Sequence, residues 1–215
     1  MFLRNIFFLL FCVQFSFSSC LNANEYNVNF TTMNKEKHLD TIVFGAGCFW
    51  CVEAVFQQLK GVMQVTPGYC GGFSKNPTYK EVCNGTTGHA EVAKIVFDSS
   101  LISLPKLVEV FFMTHDPTTL NRQGNDVGTQ YRSCVFCLDQ DQFKVVSSIK
   151  DKLNESQIWP EPIVTEIALL EEFYEAENYH HNYYNNNKNQ GYCQYVIQPK
   201  LEKFKKVFSD ELKSK

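Results

Sequence analysis

Positive charge is what this 215-residue sequence lacks most plainly: 20 Lys and Arg stand against 23 Asp and Glu, a formal net charge of −3. That leaves no basic field to gather nucleic acid or another polyanion. Long apolar runs are missing too. The main one, from Ile6 to Phe17, follows Arg4 and precedes Ser18 and Ser19; it is too short for a spanning helix and is patterned like a secretory signal. No internal repeat and no interdomain linker interrupts the remainder, so a single domain of ordinary size is expected.

The expected layout is a signal at 1–20, a polar, Asn-rich arm at 21–39, a domain at 40–208 and a tail at 209–215. Cys20, directly after Ser18-Ser19, leaves two readings open: a lipid anchor at that cysteine, or ordinary cleavage near Ala23. Either places the chain outside the cytoplasm, in the periplasm or cell envelope or secreted.

Cysteine, by contrast, is plentiful at nine residues. With Cys12 inside the expected signal and Cys20 at its edge, there remain Cys48, Cys51, Cys70, Cys83, Cys134, Cys137 and Cys193. That odd number in an exported chain argues against a full set of structural disulfides and for at least one free thiol.

Periodicity yields alternating strands and helices. Asp40–Phe44 reads as a strand, and the apolar spacing of Phe49, Val52, Val55, Phe56 and Leu59 as a helix stopped at Gly61. Val62–Thr66 reads as a strand followed by turns at Pro67-Gly68 and Gly71-Gly72. A strand at His89–Asp98 and a helix capped by Ser103 and running through Met113 come next. Strands at Tyr131–Leu138 and Ile163–Leu169 flank a helix at Gln140–Leu153. Helices are expected over Glu171–Asn187 and, with a charged surface, over Lys200–Lys213. The sum is an α+β layer of sheet and helices.

The stretch GAGCFWCVEAVF, Gly45 to Phe56, carries the chemistry. Zinc shared between Cys48-x-x-Cys51 and Cys134-x-x-Cys137 is disfavoured: the gap exceeds the usual knuckle spacing, and residues three apart on a strand face opposite ways. Cys134 and Cys137 then read as buried small hydrophobes. A thioredoxin-like dithiol fits better, because a helix N-terminus favours thiolate and Cys51 lies one turn further on. Phe49-Trp50, however, make a large apolar wall where such dithiols carry small or basic residues. A third reading takes Cys48 as a lone nucleophile with Phe49 and Trp50 as a hydrophobic recess.

The segments GCFW at 47–50, TPGYCGG at 66–72, NPTYKEVCNGTTGHAEVAKIVFD at 76–98, FFMTHDPTTLNRQGNDVGTQYRS at 111–133 and AENYHHNYYNNNKNQGYC at 176–193 closely resemble the A-type peptide-methionine (S)-S-oxide reductases, over about Thr41 to Phe204. The resemblance implies a ferredoxin-like two-layer core with a mixed sheet flanked by helices. It implies reduction of the S epimer of methionine sulfoxide, free or in oxidised proteins, by a monomer with no bound cofactor and thioredoxin or another dithiol as external reductant. By the same resemblance Cys48 is the nucleophile, Phe49 and Trp50 form the methyl pocket, and Glu91 is the acid. Tyr79, Asp126 and Tyr131 surround the sulfoxide oxygen, and Cys193 is a resolving cysteine.

The chemistry asks for these residue types independently. A thiolate attacking sulfur builds charge on oxygen, so a proton donor must face that oxygen. Glu91 can serve only if a dry pocket keeps it protonated. A second thiol must then capture the sulfenic acid. Cys51 stands where the commonest family pattern has Gly, so it competes with Cys193 for that step, and Cys51 is favoured as a participant. Cys70 and Cys83 read as packing residues, and His89, His115, His180 and His181 as structural. Two other functions remain in view: a general thiol-disulfide oxidoreductase, and a surface binding module without catalysis.

Overall fold

A computed structural model describes residues 38–214. The expected signal, Cys20 and nearly all of the polar arm lie outside the described residues. Leu39, assigned to the arm, already belongs to the first strand.

The order of elements is β1 (Leu39–Ala46), α1 (Phe49–Phe56), β2 (Val62–Cys70), α2 (Tyr79–Cys83) and β3 (Ala90–Asp98). Then come α3 (Leu104–Met113), the short pair β4 (Arg122–Gln123) and β5 (Asp126–Val127), β6 (Ser133–Cys137) and α4 (Gln140–Glu155). The chain closes with β7 (Glu166–Leu169), β8 (Phe173–Glu175), α5 (Tyr183–Asn186) and α6 (Gln198–Val207). One six-stranded sheet runs β7-β6-β1-β3-β2-β8, antiparallel throughout except for the parallel pair β6 and β7. Its inner order β6-β1-β3-β2, with α1 and α3 as crossovers, is the expected ferredoxin-like α+β core.

Alternation along the strands divides the interior into two faces. Ile42, Phe44, Ala93, Ile95, Phe97, Val135 and Cys137 face α1, α3, α4 and α6, where Val52, Phe56, Leu107, Phe111, Val146 and Phe204 pack onto them. Each fully buried ring there is worth roughly 2–3 kcal/mol of apolar burial. The other face is smaller and gathers Val43, Cys70, Ala90, Val92, Cys134 and Phe136. Cys134 and Cys137 therefore do point to opposite faces.

Helix starts follow their capping chemistry. The Ser103 hydroxyl accepts the Lys106 N–H ahead of α3, and Asp139 accepts the N–H groups of Asp141 and Gln142 ahead of α4. A capping box of Thr78 and Glu81 starts the single turn α2, an element that the hydrophobic period alone does not reveal.

Three expectations change. The strand β2 continues through Pro67 to Cys70 instead of turning there. The Pro67 carbonyl accepts from Ala176 just beyond β8, so the missing N–H faces the end of that short outer strand and costs no bond to β3. Glu171–Asn187 is not one helix but β8, a 3-10 turn at Asn178–His180 and the single turn α5. Glu53 of α1 captures the backbone N–H groups of Asn182 and Tyr183, and Asn182 at φ 53 breaks the helical path. The helix expected over Lys200–Lys213 runs instead from Gln198 to Val207, and beyond it Leu212 bridges to Leu59 and the Lys213 N–H donates to the Gln58 carbonyl.

Candidate active site

The end of β1 delivers Cys48 to the N-cap of α1. Gly47 makes the entry, with φ at +85; a Cβ there would lie 2.7 Å from that of Gln123 on β4, so only glycine fits between the two. The first turn closes as the Cys51 N–H donates to the Cys48 carbonyl at 3.0 Å. Both thiols are buried, at 7 % and 3 % exposure. They gather with Phe49, Tyr69, Ala54 and Cys193 in one cluster, against which Trp50, Tyr79, Tyr131 and Tyr192 pack.

Glu91 lies at the start of β3, on the same face as Ala93, Ile95 and Phe97, and this carries its carboxyl beneath the start of α1. Its Oε2 accepts the Phe49 backbone N–H at 3.1 Å, while the buried Oε1 has no hydrogen-bond partner. Burial raises its pKa to about 8; the Phe49 N–H opposes the shift, and Asp126 and Cys51 add to it. At neutral pH this residue is a carboxylic acid, as the chemistry requires.

The thiols do not follow the simple helix-dipole expectation. Burial first, then the hydrogen bond that it donates to Cys51 and the nearness of Glu91, push the Cys48 thiol well above its usual range. Cys51 is brought down to about 7, chiefly by accepting that same bond, with Lys200 helping and burial opposing. Of the two, Cys51 is therefore the more acidic thiol and Cys48 the one that holds its proton more firmly. An eight-residue helix offers less than the desolvation of a buried sulfur costs.

Among the polar groups, Tyr131, on the 3-10 turn Thr129–Tyr131, is half-buried and close enough to feel Glu91, Cys83, Cys48 and Asp126. The Tyr79 ring stacks on Phe49 at 6.2 Å, and its hydroxyl bonds to Cys83. Cys83, expected as a packing residue, is half-buried with its pKa raised by burial, and it partners the Tyr79 hydroxyl. Asp126, on β5, is held by the Tyr192 hydroxyl at 2.7 Å. Cys193 is buried at the first residue of a π-helical stretch, Cys193–Ile197, that runs straight into α6. Such stretches concentrate at functional sites. Cys70 and Cys134 are fully buried with raised pKa values, as packing residues should be.

Sequence reasoning missed Tyr192, Glu53 and Glu177, and it read His180 as structural. Tyr192 sits between two noted residues of the GYC motif and lies close enough to lower the pKa of both Cys48 and Cys51. The two glutamates reach backbone N–H groups 98 and 129 residues away, which no local spacing announces.

A buried thiol pair set against a neutral carboxylic acid, in this α+β frame, defines an oxidoreductase. The family model described as peptide methionine sulfoxide reductase matches residues 40–212. Peptide methionine sulfoxide reductase MsrA of Trichodesmium erythraeum is 54 % identical over 174 residues, covering 81 % of this chain and 98 % of the relative. That of Saccharolobus solfataricus is 51 % identical over 175 residues, covering 81 % and 98 %. Methionine sulfoxide reductase A of Corynebacterium diphtheriae superposes with a TM-score of 0.64 at 35 % identity, over 71 % of this chain and 77 % of that one. Reduced Mxr1 from Saccharomyces cerevisiae gives 0.68 at 34 %, over 73 % and 90 %. The chain belongs to the peptide methionine sulfoxide reductase family, and it is an enzyme of that type.

Proposed function

We propose that this enzyme reduces the S epimer of methionine sulfoxide, in oxidised proteins or free, by attack of Cys48 on sulfur while Glu91 protonates oxygen. The observation that carries this reading is the unpartnered, buried Oε1 of Glu91 beside the N-cap thiol. An acid without a partner is aimed at an acceptor that the substrate brings. Phe49 and Trp50 receive the methyl group, and Tyr79, Tyr131 and Asp126 line the oxygen side.

The atoms balance within the site. The Cys48 sulfur bonds to the sulfoxide sulfur as its proton passes to Cys51, and the Glu91 proton goes to oxygen. The hydroxyl then passes from the substrate sulfur to the Cys48 sulfur: the old S–O bond and the new sulfur–sulfur bond both break, leaving methionine and Cys48 sulfenic acid. Cys51 attacks that sulfur, its proton leaves with the hydroxyl as water, and a Cys48–Cys51 disulfide remains. Two thiol electrons have reduced one sulfoxide, and Glu91 is left ionised. Cys193 passes the disulfide outward to thioredoxin or another dithiol, which closes the cycle.

Incubation with dithiothreitol and each sulfoxide epimer tests the reading. Loss of the S epimer alone is expected; no loss of it would sink the proposal. Export is part of the same proposal and is supported by the charge and apolar pattern of the first twenty residues. Sequencing the mature N-terminus from cell fractions checks it, and an intact Met1 on cytosolic protein would count against it.

A further inference from the structure

The segment ENYHHNY, Glu177 to Tyr183, is fastened at both ends. Glu177 accepts the Tyr79 N–H at 2.9 Å and the Tyr69 hydroxyl at 2.8 Å. At the other end the buried Glu53 of α1 accepts the N–H groups of Asn182 at 2.7 Å and Tyr183 at 3.2 Å. Between them the segment lies against Trp50. The Tyr183 ring stacks on the indole at 3.6 Å with planes 4° apart, and Tyr192 meets it edge-on at 5.9 Å.

His180, midway, is fully buried. Its ring lies 4.8 Å from that of Phe49 and 4.4 Å from that of Tyr79, and its Nδ1 accepts the Trp50 indole N–H at 3.1 Å. Its Nε2 makes no hydrogen bond and has Glu177 Oε2 at 3.7 Å. If packing were all that was required, an aromatic hydrocarbon would fill this space without leaving a buried nitrogen unpaired, which costs about 1–3 kcal/mol.

We propose that His180 is the positioning residue of the methyl pocket: by holding the Trp50 indole N–H while packing on Phe49 and Tyr79, it sets the pocket's width and so its preference for methyl over larger sulfoxide substituents. This rests on the reading of Phe49 and Trp50 as that pocket. Burial lowers the imidazole pKa to about 4, so at working pH Nδ1 keeps its lone pair and the proton sits on Nε2.

The test compares kcat/KM for the S epimers of methionine and ethionine sulfoxides in wild type, His180→Phe, His180→Asn, Trp50→Phe and the double variant His180→Phe/Trp50→Phe, with thermal unfolding of each. One methylene is worth about tenfold or more in a fitted apolar pocket. The His180→Phe protein is expected to narrow that preference about fivefold, through KM more than kcat, as loss of one neutral hydrogen bond allows. The His180→Asn protein, whose amide oxygen can take the place of Nδ1, is expected to keep it. Adding His180→Phe to Trp50→Phe is expected to change nothing further, because the donor is already gone. An unaltered ratio in His180→Phe with a narrowed one in Trp50→Phe overturns the proposal and leaves the pocket reading standing. Equal losses for both substrates with a lowered melting temperature reduce His180 to packing and also overturn it. An unaltered ratio in Trp50→Phe removes the pocket reading and the inference with it.

Discussion

The thiol of Cys48 donates a hydrogen bond to Cys51, one turn along α1, and the burial of Cys48 together with that bond separates their acidities. In the proposed mechanism one sulfur of the pair attacks and the other captures. After one turnover without external reductant, the first disulfide is expected to join Cys48 to Cys51. Peptide mapping of a quenched reaction reads this directly. Cys193→Ser should form the disulfide at the wild-type rate and Cys51→Ser about tenfold more slowly; a wild-type product linking Cys48 only to Cys193 would show that Cys193 resolves.

Glu91 titrates near pH 8 in the fold and near 4.5 when unfolded. The acid form that the proposed mechanism requires disappears as pH rises through about 8, so kcat/KM should fall above that value. Glu91→Gln should lose about 10²–10⁴ in rate and lose this alkaline limb with it. Because the folded pKa is raised, the associated stability is full below pH 4.5 and is lost as pH rises through 8. Glu91→Gln should therefore be the more stable protein at pH 9, by an amount on the order of a few kcal/mol. Urea titrations at pH 5 and 9 measure both signs.

Glu53 holds two backbone N–H groups of the segment that backs Trp50. Glu53→Ala leaves both unpaired and should cost about 2–4 kcal/mol, seen as a lowered melting temperature. Glu53→Gln retains one carbonyl acceptor and should cost less. Equal stability of Glu53→Ala and wild type would show that water replaces the carboxylate freely.

His115 is buried, with Nδ1 bonded to the Phe111 carbonyl at 2.7 Å and Nε2 to the Ser133 hydroxyl at 2.8 Å. Burial lowers its pKa to about 4. The stability that it contributes is present above pH 6.5 and fades as pH falls through 4. Glu91 runs the opposite way over part of that range, so the useful quantity is the difference between wild type and His115→Gln. That difference should shrink by about 1.4 kcal/mol per pH unit between 6.5 and 4. A constant difference across denaturation curves at pH 7, 6 and 5 would remove His115 from the acid response.

The sequence made the inner sheet legible because Ile42 and Phe44, or Ala93, Ile95 and Phe97, repeat with the period of a strand. Ser103 marked a helix start by local chemistry. Pro67 misled, since whether a proline interrupts a strand depends on which neighbour its nitrogen faces, and that neighbour, β8, is a hundred residues away. Glu171–Asn187 misled for a related reason: its conformation is imposed by Glu53 and Glu177, not by its own period. Cys48, Glu91, Phe49 and Trp50 were found through quoted motifs, whereas the division of charge between Cys48 and Cys51 depends on burial, which no motif states.

Methionine and its sulfoxide differ by one atom, and in the proposed mechanism it is that atom which the unpartnered oxygen of Glu91 meets. While the substrate is oxidised, it offers this acid an acceptor. Once it has been reduced, the thioether has nothing to offer, and Glu91, now ionised, is left facing a greasy side chain in a dry pocket. Product is thus held less firmly than substrate by the very group that made it, which lets the site leave intact methionines alone among many and move on to the next damaged one.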